Sequence, residues 1–228
     1  MTDYNFNKTD AKLTGWFFIA AAVSSIIGLK LYDPILNESN FLLSASNNYS
    51  QIVFGAVNEL ILCVTATGTG IMLFPLLKRY NERMALGYLS FRLLEVVFIM
   101  IGTISVLTAL AVSENYANGV IRDKDNAQNL MLTFIYLHKW TFMLGPNFML
   151  AINTFLYSYV FSKSNVVPKN LARLGISASL LIMLAAILEM FGVIQQISIW
   201  GILLALPIAL YEMTLAIWLI VKGVNNKN

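Results

Sequence analysis

Seven ionisable side chains sit inside apolar stretches of this sequence, where charge is costly. They are Glu59, Arg92, Glu95, His138, Lys139, Glu189 and Glu212. Three amides, Asn58, Asn147 and Asn153, accompany them. Within a lipid bilayer such groups turn inward, toward one another or toward a ligand. Four carboxylates stand against two fixed cations and one histidine, so they cannot all pair one-to-one with a fixed cation. One is left to hold a proton, share a cation, or contact water or ligand. The chemistry open to such a set is ligand binding, or proton transfer by a carboxylate beside His138.

Much other chemistry has no residues to carry it. One histidine cannot build the His cluster of a membrane zinc hydrolase or a bis-histidine haem site. Cys63 is alone, which excludes a disulfide framework or a cysteine-based metal site within the chain. The carboxylates show no ligand spacing, so the sequence calls for no metal and no cofactor. No Gly-x-Ser-x-Gly elbow occurs, and the glycines near Gly68 lack the lysine of a phosphate loop. No motif names a reaction, and whether the protein is an enzyme stays open.

The elements that position these residues are membrane helices. The 228 residues are 58% hydrophobic and 12% charged, with a mean hydropathy of +0.70. A soluble domain carries about 25% charged residues. Here apolar residues fill whole runs long enough to cross a core of about 30 Å. The runs are about 15–31, 51–77, 86–112, 130–161, 171–193 and 197–221. They predict an all-α, polytopic bundle of six transmembrane helices forming a single integral membrane domain over 1–228. The first run is short and basic at its start, but reads as a retained span because five more follow and need a partner. Residues 32–50 read as a polar loop, and VVPKNLARLG follows the fourth run as a basic one.

Lysine and arginine set the orientation. With a cytoplasmic N-terminus, the inner segments hold Lys8, Lys12, Lys78, Arg79, Arg83, Lys163, Lys169, Arg173, Lys222 and Lys227, against Lys30, Arg122 and Lys124 outside. Both termini are therefore expected in the cytoplasm, which an even number of spans allows. The net charge of +3 belongs to these flanking loops, so no nucleic-acid partner is implied.

Depth sorts the buried groups into two layers. Glu59 lies about 12 Å in from the outer edge by helix rise. His138 and Lys139 enter from the same side, and Glu189 lies near the outer end of the fifth run. With Asn147, these are the candidate ligand-binding residues. Arg92, Glu95 three residues later on the same face, and Glu212 form an inner layer of candidate structural ion pairs. Ion pairs that merely fix helix packing account for the inner layer more readily than for the outer one, which lies nearer to open water. Gly145-Pro146-Asn147 and Pro207 fall within spans four and six. A proline removes a backbone donor, so breaks at Gly145, Pro146 and Pro207 are expected, freeing the carbonyls of Phe142 and Leu203. Such breaks line sites in transporters and are also ordinary kinks.

Three stretches together resemble a family of bacterial membrane proteins known as domain of unknown function family 4386. They are FRLLE at Phe91–Glu95, LGPN and VVPKNLARLG between Leu144 and Gly175, and PIALYEMTLAIWLIVKG from Pro207 to Gly223. The resemblance runs from the first span to the last. It implies a multi-span protein of the bacterial inner membrane and supplies no reaction. It draws attention to Arg92, Glu95, Gly145, Pro146, Asn147, Pro168, Pro207 and Glu212, the positions that match the pattern.

Three functions follow as expectations. The first is a membrane protein that binds or transports a small molecule or lipid in an intramembrane polar cavity. The second is an integral-membrane enzyme acting on lipid, and the third a structural or assembly protein. The expected partners are the lipid bilayer and a small-molecule or lipid ligand.

Overall fold

The computed structural model of the protein describes residues 6–195 and 198–225. The expected start of the sixth span at Ile197, and Lys227 of the cytoplasmic set, lie outside the described residues. Among those described, all regular structure is helical. The elements are α1 (Lys8–Leu31), α2 (Asp33–Leu36), α3 (Phe41–Asn47), α4 (Tyr49–Lys78), α5 (Glu82–Ala117), α6 (Lys124–Phe142), a π-helical segment (Met143–Met149), α7 (Leu150–Ser164), α8 (Lys169–Met190) and α9 (Ile199–Val221). Five of them, α1, α4, α5, α8 and α9, are long and apolar enough to cross a membrane.

Local chemistry sets the helix starts. Asn7 and Asp10 form a reciprocal capping box: Asn7 Oδ1 accepts from the Thr9 and Asp10 amides, and Asp10 Oδ2 accepts from the Asn7 amide at 2.9 Å. This starts α1 seven residues before its apolar run, where hydropathy alone put the boundary. At α5, α6 and α9 the side-chain oxygens of Asn81, Asp123 and Ser198 accept from first-turn amides as simple N-caps. At 36 residues α5 is the longest element. It spans roughly 54 Å, more than a bilayer core.

The long rods close into a ring. α1 packs on α4, α4 on α5, α5 on the run from α6 to α7, that run on α8, α8 on α9, and α9 back on α1. Two glycines permit the closest contacts. A Cβ at Gly15 would stand 2.6 Å from the Ala216 carbonyl, and one at Gly175 would strike Ser158 Oγ and the Tyr211 ring. Around the outside, Ile26, Phe54, Val64, Ile71, Ile104 and Ile199 are exposed. Apolar surface on that scale fits a lipid-facing exterior.

The ring is filled at each end by its own apolar cluster. One holds Phe18, Leu73, Leu77, Tyr88, Tyr157, Phe161 and Leu219. The other holds Tyr32, Ile35, Leu42, Ile52, Leu110, Met131 and Ile135. Residues 32–50 are thus no plain loop. Apolar residues spaced through the polar sequence fold it into α2 and α3, and Ser113 Oγ ties this cap to α5 by donating to the Leu42 carbonyl at 2.6 Å. At the opposite end Val166 and Val167 of the α7–α8 turn are buried. The Val166 carbonyl accepts from the Asn225 amide at 3.0 Å, and Gly223 lies beside Lys8.

The expected helix breaks are corrected. Gly145 and Pro146 do not interrupt the chain. Met143–Met149 widens into a π-helix, with the Leu150 amide reaching back five residues to the Gly145 carbonyl. The wider turn absorbs the donor that Pro146 lacks without ending the helix. α9 likewise runs on through Pro207, and α4 carries Pro75 in its interior.

Candidate functional site

Near the α2–α3 cap, Glu59 of α4 turns into the ring and is 7% exposed. Its Oε2 accepts from the Tyr32 hydroxyl at 3.3 Å and from Thr103 Oγ1 at 2.5 Å. Thr103 also reaches the Ile99 carbonyl at 3.0 Å, so one hydroxyl proton serves two acceptors. The α1–α4 packing that supports Glu59 is fixed by Asn58, whose amide donates to the Ser24 carbonyl. Gly28 and Gly55 make room: a Cβ on Gly28 would press on Glu59 Cγ at 3.2 Å, and one on Gly55 would meet the Tyr32 ring at 2.7 Å. Among the described residues Glu59 forms no ion pair.

His138 of α6 faces the same space and is 4% exposed. Tyr32 packs against it edge-on at 5.8 Å, and Phe142 one turn on at 6.2 Å. Its Nδ1 is buried without a hydrogen-bond partner. An unpaired buried polar atom costs about 1–3 kcal/mol, so it marks a position where a partner is missing. Between Glu59 and His138 lies a cavity of about 10 Å³ lined also by Ser25, Phe98, Gly102, Thr141, Phe142 and Pro146. That is the room one water needs.

About 15 Å along the bundle, by helix rise, a second polar group is fully knitted together. Arg92 Nη1 donates to Glu95 Oε2 at 2.9 Å and Oε1 at 3.2 Å. Its Nε donates to the Ala66 carbonyl and to Thr69 Oγ1, and Asn153 of α7 donates to Glu95 Oε2 at 2.6 Å. The group joins α4, α5 and α7 at one depth. Close by, Ser158 Oγ donates to the Tyr211 hydroxyl at 2.8 Å, with Tyr157 stacked on Tyr211. Glu212 stands within electrostatic range of Arg92 and Glu95, yet its Oε1 is buried without a hydrogen-bond partner.

Residues 13–223 match the family model described as Domain of unknown function (DUF4386). The chain belongs to the DUF4386 family. No curated protein and no solved structure matches it. The family's function is uncharacterised, and its apolar helices are consistent with an integral membrane protein.

In this DUF4386 chain the sequence-predicted residues divide. Glu59 and His138 come together. Lys139 does not join them: it is exposed, with its ammonium 5.4 Å over the Tyr136 ring. Successive helix residues point about 100° apart, so with His138 turned inward Lys139 is carried outward. Glu189 stands apart from that cavity too. It is half-buried and accepts from Asn147 Nδ2 at 2.9 Å, joining the π-helical segment to α8. Arg92 and Glu95 pair as their spacing suggests, whereas Glu212 makes no ion pair with them. Among the described residues no group of three or more His, Cys, Asp or Glu could hold a metal ion.

Tyr32, Gly102, Thr103 and Thr141 escaped the reading of the sequence. Thr103 carried a signal, since Glu95, Ile99 and Thr103 recur every four residues and share a face of α5. Gly102, seven residues after Glu95, lies on that face too. Tyr32 carried none, because its place depends on the folded cap.

Proposed function

We propose that this protein is a six-span integral membrane protein of the bacterial inner membrane, with both termini cytoplasmic, that binds a small molecule or lipid head in the cavity between Glu59 and His138. The single observation behind the binding reading is the cavity's chemistry. A buried carboxylate without an ion-pair partner among the described residues and an imidazole nitrogen without a hydrogen-bond partner face the same small space. Packing alone accounts for Arg92 and Glu95, which pair with each other, but leaves the Glu59 group unfinished.

Two features support six crossings. The run from Lys124 to Ser164 is helical throughout and passes from one end cluster, at Met131, to the other, at Phe161. Lys8 and Gly223 lie side by side, so the described ends share one face, as an even number of crossings requires. The excess of lysine and arginine on that face favours the cytoplasm.

Native mass spectrometry of protein purified in mild detergent tests the binding reading. A defined molecule is expected to stay with the wild type and to be lost from Glu59→Gln. Identical bare masses for both, with no small molecule or lipid stabilising the wild type, would leave the site a packing feature.

A further inference from the structure

We propose that the group taken by the Glu59 cavity is a primary ammonium. This deepens the binding reading above and rests on it. Charge is the first reason. Glu59 has no ion-pair partner among the described residues, and Lys139, the nearest basic residue to His138 in sequence, points outward. A buried carboxylate attracts a cation that brings its own hydrogen-bond donors.

Donor and acceptor matching is the second reason. An alkylammonium offers three N–H donors and no acceptor. Glu59 supplies a carboxylate and His138 the unpartnered Nδ1. Thr141 already donates its proton to the His138 carbonyl at 2.9 Å, which leaves its oxygen free to accept. Thr141 Oγ1 and His138 Nδ1 converge on the bare face of Gly102: a Cβ there would stand 2.9 Å from one and 3.4 Å from the other. The glycine leaves open the place where a ligand nitrogen would sit.

Size is the third reason. A cavity of about 10 Å³ admits a group the size of water. An ammonium head meets that limit, and a trimethylated one does not. The phenyl groups of Phe98 and Phe142 in the wall suit a cation flanked by apolar surface. The same head occurs on free ammonium or small amines and on aminated lipids, and the test separates these sources.

Thermal unfolding of the full chain in phosphatidylcholine nanodiscs is measured with ammonium, methylamine, tetramethylammonium, sodium or methanol added. It is repeated with phosphatidylethanolamine in the disc. Methylamine, ammonium or phosphatidylethanolamine should raise the wild-type Tm, while tetramethylammonium and sodium at equal concentration should not. A rise with the soluble amines points to a small solute, and one confined to phosphatidylethanolamine points to lipid. Glu59→Gln and Gly102→Ala should lose the shift, and Lys139→Ala should keep it. Having both loss variants keeps the test sharp if one fails to fold. An equal shift in Glu59→Gln overturns the proposal. A Glu59-dependent shift with methanol overturns the ammonium class and leaves the binding reading standing. No shift with any probe, together with no molecule retained in native mass spectrometry, removes both.

Discussion

Arg92 and Glu95 are buried three residues apart on one helix, and α4 and α7 supply their remaining contacts. Removing one partner of such a pair strands the other, at a cost of about 3–5 kcal/mol. Glu95→Gln keeps the shape and deletes the charge that Arg92 faces, so it should destabilise by that order in chemical unfolding in detergent. Glu212→Gln makes the same change where no donor reaches the buried oxygen. It should cost under about 1 kcal/mol or raise stability, because a neutral amide is less costly to bury than a lone carboxylate. Equal losses would identify Glu212 as the working partner of Arg92. The Arg92–Glu95 contact was legible because both residues lie on one helix, where spacing fixes geometry. Asn153, which completes it, sits 58 residues from Glu95, and no local rule brings it there. Lys139 was misread from proximity in sequence, where the helix phase that turns His138 inward carries its neighbour out.

The decisive element is the π-helical segment Met143–Met149. It touches both polar regions. Pro146 lines the Glu59 cavity, Asn147 holds Glu189, and Gly145 lies against α5. A Cβ on Gly145 would stand 2.7 Å from Phe98 Cβ and 3.2 Å from the Glu95 carbonyl. The carbonyl belongs to the helix backbone and cannot swing aside. Gly145→Ala should therefore push the segment off α5 and cost about 1–3 kcal/mol, the usual range for overpacking. Thermal unfolding in detergent checks this, and a loss within a few tenths of a kcal/mol would mean the contact yields freely. The sequence marks this place with Gly-Pro-Asn but cannot say what happens there. A kink and a π-turn both accommodate the donor missing at Pro146. Packing against α5 decides between them, and packing is not local. The α2–α3 cap was missed for the same reason, since its apolar residues are too few to show a period.

At the scale of the molecule, the ring of rods leaves one question about the membrane: whether the run from Lys124 to Ser164 crosses it. Five helices pass on length and apolarity, whereas this run is made of a comparatively polar α6, a π-helical turn and the short α7. Its ends nevertheless belong to opposite clusters. Ala127 and Met131 pack with Leu42 and Leu110, whereas Val160 and Phe161 pack with Leu77 and Leu219. Between those residues lie roughly thirty positions, enough helix to span a core of about 30 Å. If the run crosses, the turn at Asn118 and the end of α7 at Lys163 face opposite sides of the membrane; if it does not, they face the same side. Single cysteines placed as Asn118→Cys and Lys163→Cys, in a Cys63→Ala background, distinguish the two. Cys63 is the chain's one cysteine, so its replacement clears the background of other thiols. An impermeant maleimide added to spheroplasts should label Asn118→Cys at once and Lys163→Cys only after lysis. Labelling of both from outside would reduce the crossings to five and separate the chain's two ends. That outcome conflicts with Lys8 and Gly223 meeting at one face, so the experiment tests the closure of the ring together with the sixth span.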